Sequence, residues 1–90
     1  MNRRLHTYYS GSVHGVGFRY TAERIASSLN ITGWVKNLRD DRVEVLCEGE
    51  EGTLNEFTQK LDTIFKRYIE NSDIEWSEAT GEFEGFGIRF

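Results

Sequence analysis

Two alternating runs, Thr32–Leu38 and Arg42–Glu48, stand back to back between two helix-patterned segments, and this arrangement most restricts how the chain can fold. In the second run Val43, Val45 and Cys47 alternate with Glu44, Leu46 and Glu48, the period of an extended strand with one apolar face. The connector Arg39-Asp40-Asp41 allows only a tight turn, so the runs pair as an antiparallel hairpin. Such a hairpin is at best marginally stable alone and needs further layers over its apolar face. The segment before it, from Arg19 or Tyr20 to Asn30, places Ala22, Ile25, Ala26 and Leu29 on one helical stripe, with Asn30 suited to a left-handed cap. The segment after it repeats the pattern with Leu54, Phe57, Leu61, Ile64, Phe65 and Tyr68. Thr53 and Glu56 have capping-box spacing, Glu50 and Glu51 suit the positive end of the helix dipole, and Asn71-Ser72-Asp73 is expected to break the helix.

Strands flank this unit on both sides. Leu5–Val13 alternates, with Leu5, Thr7, Tyr9, Gly11 and Val13 on one face and His6, Tyr8, Ser10 and Ser12 on the other. Ile74–Ala79 and Phe86–Phe90 read as two short last strands around a glycine-bearing turn, Thr80–Gly85. The order β-α-β-β-α-β(-β) predicts an α+β fold: a ferredoxin-like α/β sandwich, two helices on one face of a mostly antiparallel sheet of four to five strands. The opposite sheet face is expected to carry Tyr8, Trp34, Leu46 and Trp76. No linker, repeat or compositional break divides the chain, so residues 1–90 are read as a single domain.

Charge narrows the function classes. Fifteen Asp and Glu against eleven Lys and Arg give a net charge of −4, the wrong sign for a protein that tracks a phosphate backbone, so no nucleic-acid partner is expected. No run approaches the ~18 apolar residues of a membrane span, and no apolar stretch follows the basic start as in a signal peptide. The single cysteine, Cys47, excludes an intrachain disulfide and fits a reducing compartment. These points predict a cytoplasmic protein without a membrane partner. No Cys/His/Asp cluster has metal-ligand spacing.

Against that acidic background, residues 11–19, Gly-Ser-Val-His-Gly-Val-Gly-Phe-Arg, stand out. Gly15 and Gly17 permit backbone angles closed to other residues and let a ligand approach the main chain. Successive N–H groups in such a turn, followed by a helix N-terminus, form a concave donor site for an anion. Arg19 adds a planar fork that matches phosphate or carboxylate oxygens. The stretch lacks the third glycine of a dinucleotide fingerprint and the Gly-Lys-Ser/Thr of an NTPase loop, and by itself it also fits a plain strand-to-helix turn with Arg19 in solvent. At the end of the first hairpin strand, Asn37 offers donors and an acceptor without charge, suited to holding water beside an anion. A turn hydrogen bond is its ordinary alternative.

Taken together, Gly11-x-Val13-His14-Gly15-Val16-Gly17-Phe18-Arg19 and Gly33-Trp34-Val35-Lys36-Asn37-x-x-x-Asp41-x-Val43 through Gly49 resemble the two motifs of the acylphosphatase family, and the resemblance spans nearly the whole chain. It implies hydrolysis of a small-molecule acyl phosphate to a carboxylate and inorganic phosphate without metal or cofactor; a monomer is expected. Carried onto matching positions, it implies that the backbone around His14, Gly15, Val16, Gly17 and Phe18 and the Arg19 side chain hold the phosphate. Asn37 would orient the attacking water. Two positions depart from the family's habit: His14 stands where many members have Gln, and Asp41 where a glycine is usual. Of the remaining candidates, His6, Thr21 and Arg24 read as surface residues and Cys47 as core, while Lys36 faces away from the site. A non-catalytic phosphate-binding or acyl-phosphate-binding module is a second reading, and RNA binding through Tyr8 and Trp34 a third, which the charge opposes.

Overall fold

The computed structural model describes residues 1–90. In chain order its elements are β1 (Asn2–Gly11), α1 (Phe18–Ser28), β2 (Thr32–Asn37), β3 (Val43–Glu50), α2 (Glu51–Ile64), β4 (Ile69–Glu78) and β5 (Phe86–Arg89). The strands form one sheet in the order β4-β1-β3-β2-β5, antiparallel except for the parallel β2–β5 pair. This is the expected helix-on-sheet sandwich. Alternation decides its inside: Leu5, Thr7 and Tyr9 of β1, Val43, Val45 and Cys47 of β3 and Val35 of β2 are buried under Ala22 and Ala26 of α1 and Leu54, Phe57 and Leu61 of α2. Tyr9, Phe18 and Phe65 stack in series within this core, with ring centres 5.0 and 4.6 Å apart.

The register sets where loops meet. Tyr9 pairs with Val43, and Val43 pairs with Asn37. The end of β1, the start of β3 and the end of β2 therefore lie at one end of the sheet. The loop after β1 emerges at the same end as Asn37, with the start of β3 between β1 and β2. The tight β2–β3 turn needs one left-handed residue, and Asp41 takes that role at φ 72°.

Four expectations need correction. Asn71-Ser72-Asp73 breaks no helix: α2 ends at Ile64, and β4 runs straight through the three residues, paired with Ser10, Tyr9 and Tyr8. An edge strand leaves such polar side chains in water, so the backbone ladder outweighs their weak strand preference. Trp76 lies opposite Leu5, which puts it on the helix-covered face, with the Arg3 guanidinium 5.5 Å from its ring centre. Thr53 caps nothing, because β3 passes into α2 with no intervening loop and the helix begins at Glu51. Ile64, expected on the buried stripe, ends the helix half exposed.

β4 and β5 occupy opposite edges, so the chain between them must cross the sheet. Glu48 anchors that crossing. Its carboxylate accepts hydrogen bonds from the N–H groups of Thr80 and Gly81 at 2.9 Å, the Thr80 hydroxyl at 3.0 Å and Arg4 Nε at 2.8 Å. Burial favours the neutral acid, but these donors together outweigh it and hold the Glu48 pKa down at about 2.

Candidate active site

Past Gly11 the chain turns through residues 12–17 into α1. Gly15 and Gly17 have φ of 74° and 81°, and a Cβ on either would meet nothing within 4 Å. Backbone conformation, not crowding, therefore selects glycine at both. Gly17 is also the N-cap of α1, so no side chain caps the helix, and its first turn carries no acidic residue. As a result, the backbone N–H groups of His14 through Tyr20 find no acceptor in the chain. Donors left open in this way, at the positive end of a helix dipole, are matched to an anion.

Two side chains complete the arrangement. Arg19, in the first turn of α1, forms no ion pair, and its guanidinium carbon lies 5.3 Å from the centre of the Phe90 ring. Asn37 ends β2 with Oδ1 buried and without a hydrogen-bond partner. Leaving a buried acceptor unmatched costs about 1–3 kcal/mol. Gly15, Gly17, Arg19 and Asn37 line one cavity of about 200 Å³, whose remaining walls are Val13, Phe18, Tyr20, Ile88 and Phe90. The cavity thus brings open amide donors, a permanent cation and the uncharged Asn37 amide together against apolar walls.

The other sequence candidates fall elsewhere. The Val16 side chain packs against the core, and His14 turns its ring away, with Nε2 2.8 Å from the Arg42 carbonyl oxygen. Neither residue lines the cavity. Lys36 pairs with Glu44 on the open sheet face, where His6 Nε2 also lies 2.6 Å from Glu44 Oε2. Cys47 is buried in the core, and burial, reinforced by Glu48, pushes its thiol up to about 12, which removes it as a nucleophile. Thr21 and Arg24 belong to the outer surface of α1. Residue-by-residue reading missed the apolar walls Ile88 and Phe90. Their alternation with Phe86 was visible, but the parallel pairing of β5 with β2 that brings them to Asn37 is not written locally.

The chain matches the family model described as Acylphosphatase over residues 5–88. It is similar to a protein named acylphosphatase from Roseiflexus sp., 37% identical over 86 residues that cover 94% of this chain and 92% of the relative. A second, from Caldanaerobacter subterraneus, is 36% identical over 89 residues, covering 98% and 99%. Among solved structures, the acylphosphatase from Bacillus subtilis superposes with a TM-score of 0.89 at 29% identity, covering 98% of this chain and 99% of that one.

Proposed function

The chain belongs to the acylphosphatase family and is an acylphosphatase enzyme, and from that premise we propose how it hydrolyses the carboxyl–phosphate bond of acyl phosphates. The open N–H groups of residues 14–20 and the Arg19 guanidinium bind the phosphoryl oxygens. Asn37 Oδ1 accepts a hydrogen bond from a water and holds it in line with phosphorus. The water oxygen attacks phosphorus, the phosphorus–oxygen bond to the acyl group breaks, and the carboxylate leaves with the electron pair. The water's proton passes to a phosphoryl oxygen of the substrate, since the cavity holds no carboxylate or imidazole to take it. A carboxylate is already a good leaving group, so positioning and charge stabilisation suffice without a protein nucleophile.

The observation that carries this reading is that Asn37, whose buried Oδ1 has no partner in the chain, lines the same cavity as Arg19 and the uncapped helix N-terminus. A phosphate-binding module needs only the donors; an unpaired acceptor beside them has no use for an anion and suits a water. The walls also offer none of the carboxylate, thiolate or imidazole ligands a resident metal ion needs, which supports metal-free chemistry. We further read residues 1–90 as one domain acting as a cytoplasmic monomer on small molecules, without a nucleic-acid or membrane partner. No helix is long and apolar enough to cross a membrane.

The deciding experiment follows phosphate and carboxylate release from acetyl phosphate, with and without a chelator. Equal release in both conditions is expected. Turnover that disappears with chelator and returns with a divalent cation overturns the metal-free mechanism, and phosphate binding without turnover leaves the binding-module reading in its place.

A further inference from the structure

The carbonyl oxygen of Arg42 serves both halves of the site. It accepts the backbone N–H of Leu38, the residue after Asn37, at 2.8 Å, and the His14 ring at the same distance. A carbonyl has two lone pairs and no proton, so both are used and His14 Nε2 must be the protonated nitrogen. His14 belongs to the cradle, and Leu38 continues the strand that carries Asn37.

The residue that carries this carbonyl has further contacts of its own. The Arg42 N–H donates to Asp40 Oδ1 at 3.3 Å, and Arg42 Nε to Asp40 Oδ2 at 2.8 Å. Its guanidinium carbon lies 4.6 Å from the centre of the Tyr8 ring, whose hydroxyl donates to Glu44 Oε2 at 3.0 Å. The cradle is held by apolar packing of Val13, Val16 and Phe18, but its backbone makes few hydrogen bonds. Its backbone bonds are Ser12 N–H to the Tyr68 carbonyl before it and Thr21 N–H to the Gly17 carbonyl after it, with none between. The His14 ring is the hydrogen bond that ties the middle of this loop to the rest of the fold.

We propose that His14 is a positioning residue, which fixes the phosphate cradle relative to Asn37 through the shared Arg42 carbonyl. It touches neither phosphate nor water in this role; it sets the distance between the group that is attacked and the water that attacks. The inference rests on the reaction proposed above. Because the N–H donors and Arg19 remain when the ring is removed, substrate capture should suffer less than the chemical step. Misplacement by about 1 Å is enough to cost on the order of 100-fold in rate.

The test compares His14→Ala, His14→Gln and His14→Asn. Glutamine can set an N–H donor where Nε2 stands; asparagine is too short and reaches only the Nδ1 position. We expect kcat to fall at least ~10-fold in His14→Ala and His14→Asn, with KM within ~3-fold, and His14→Gln to recover to within ~3-fold of wild type. If His14→Ala fails to fold, the Gln and Asn variants at matched Tm decide alone. Near-normal kcat in His14→Ala or His14→Asn overturns the proposal, as does a His14→Gln variant as slow as His14→Asn. A wild-type protein without turnover sinks this role together with the reaction, whereas wild-type turnover with indifferent variants sinks this role alone.

Discussion

Arg19 places its guanidinium carbon 5.3 Å from the centre of the Phe90 ring, and both side chains line the same cavity. The ring is 96% exposed, so it contributes little to the core and its main contact of consequence is the arginine. An exposed cation–π contact is worth roughly 0.5–1 kcal/mol. Phe90→Ala should therefore weaken inorganic phosphate binding by about 2–5-fold while Tm stays close to wild type. Titration with phosphate beside a thermal melt checks both halves of that expectation; unchanged affinity would remove the ring from the site.

Arg19→Lys separates charge from shape. Lysine keeps the positive charge but loses the planar fork that meets two phosphoryl oxygens at once. We expect the fold to survive and kcat/KM to drop at least ~30-fold, about 2 kcal/mol of transition-state stabilisation. Steady-state kinetics on acetyl phosphate give the answer, and a rate equal to wild type at normal stability would mean that Arg19 plays no part in the reaction.

What the sequence made legible follows the range of the forces involved. The hairpin, both helices and the turn at Gly15 and Gly17 are set by neighbours within a few residues, so periodicity and turn chemistry located them. Arg19 and Asn37 were legible as chemical types, and their meeting in one cavity follows from the Tyr9–Val43–Asn37 register, which the β-α-β-β order already suggested. Trp76 was assigned to the wrong sheet face, and Ile88 and Phe90 were not placed at the site. Their surroundings depend on which edge each last strand joins, a choice made by the crossing that Glu48 anchors and not by local pattern. The start of β4 was missed for a related reason. Glu70, Asn71 and Asp73 are poor strand formers that water and a ladder to β1 make acceptable at an edge. Nothing in the residues announced the hydrogen bond of the His14 ring either, since its partner is a backbone oxygen 28 positions away.

Glu48 should make stability acid-sensitive. Its folded pKa of about 2 lies below the ordinary 4.5, so the ionised carboxylate stabilises the fold at and above pH 4.5. That contribution declines as pH falls from about 4.5 toward about 2, and a shift of this size corresponds to at most ~3 kcal/mol. Glu48→Gln keeps the shape but removes the charge that meets Arg4 and the Thr80 and Gly81 amides. The variant should melt well below wild type at pH 6 and much closer to it at pH 3. A constant gap between the two proteins across that range would show that the carboxylate's ionisation does not set the difference.

Asn37→Ala should divide binding from chemistry. In the mechanism proposed above Asn37 Oδ1 holds the water, while the cradle amides and Arg19 meet the phosphoryl oxygens. Truncation leaves those donors in place and relieves a buried unmatched acceptor, so inorganic phosphate affinity should change less than ~3-fold and Tm should hold or rise slightly. Turnover loses its positioned water, and removing one such polar group typically costs about 10²–10³-fold in kcat. Asn37→Asp is nearly isosteric but sets a negative charge in the same cavity as the bound anion. At a pH where that carboxylate is ionised, it should lose phosphate affinity as well as rate, and lowering the pH toward the ordinary carboxylate range should recover part of the affinity. Phosphate titrations and initial rates on wild type and both variants, run at pH 7 and pH 5, settle the assignment. Near-normal kcat in Asn37→Ala would reduce Asn37 to a strand-end residue and shift the weight of the site onto phosphate binding alone.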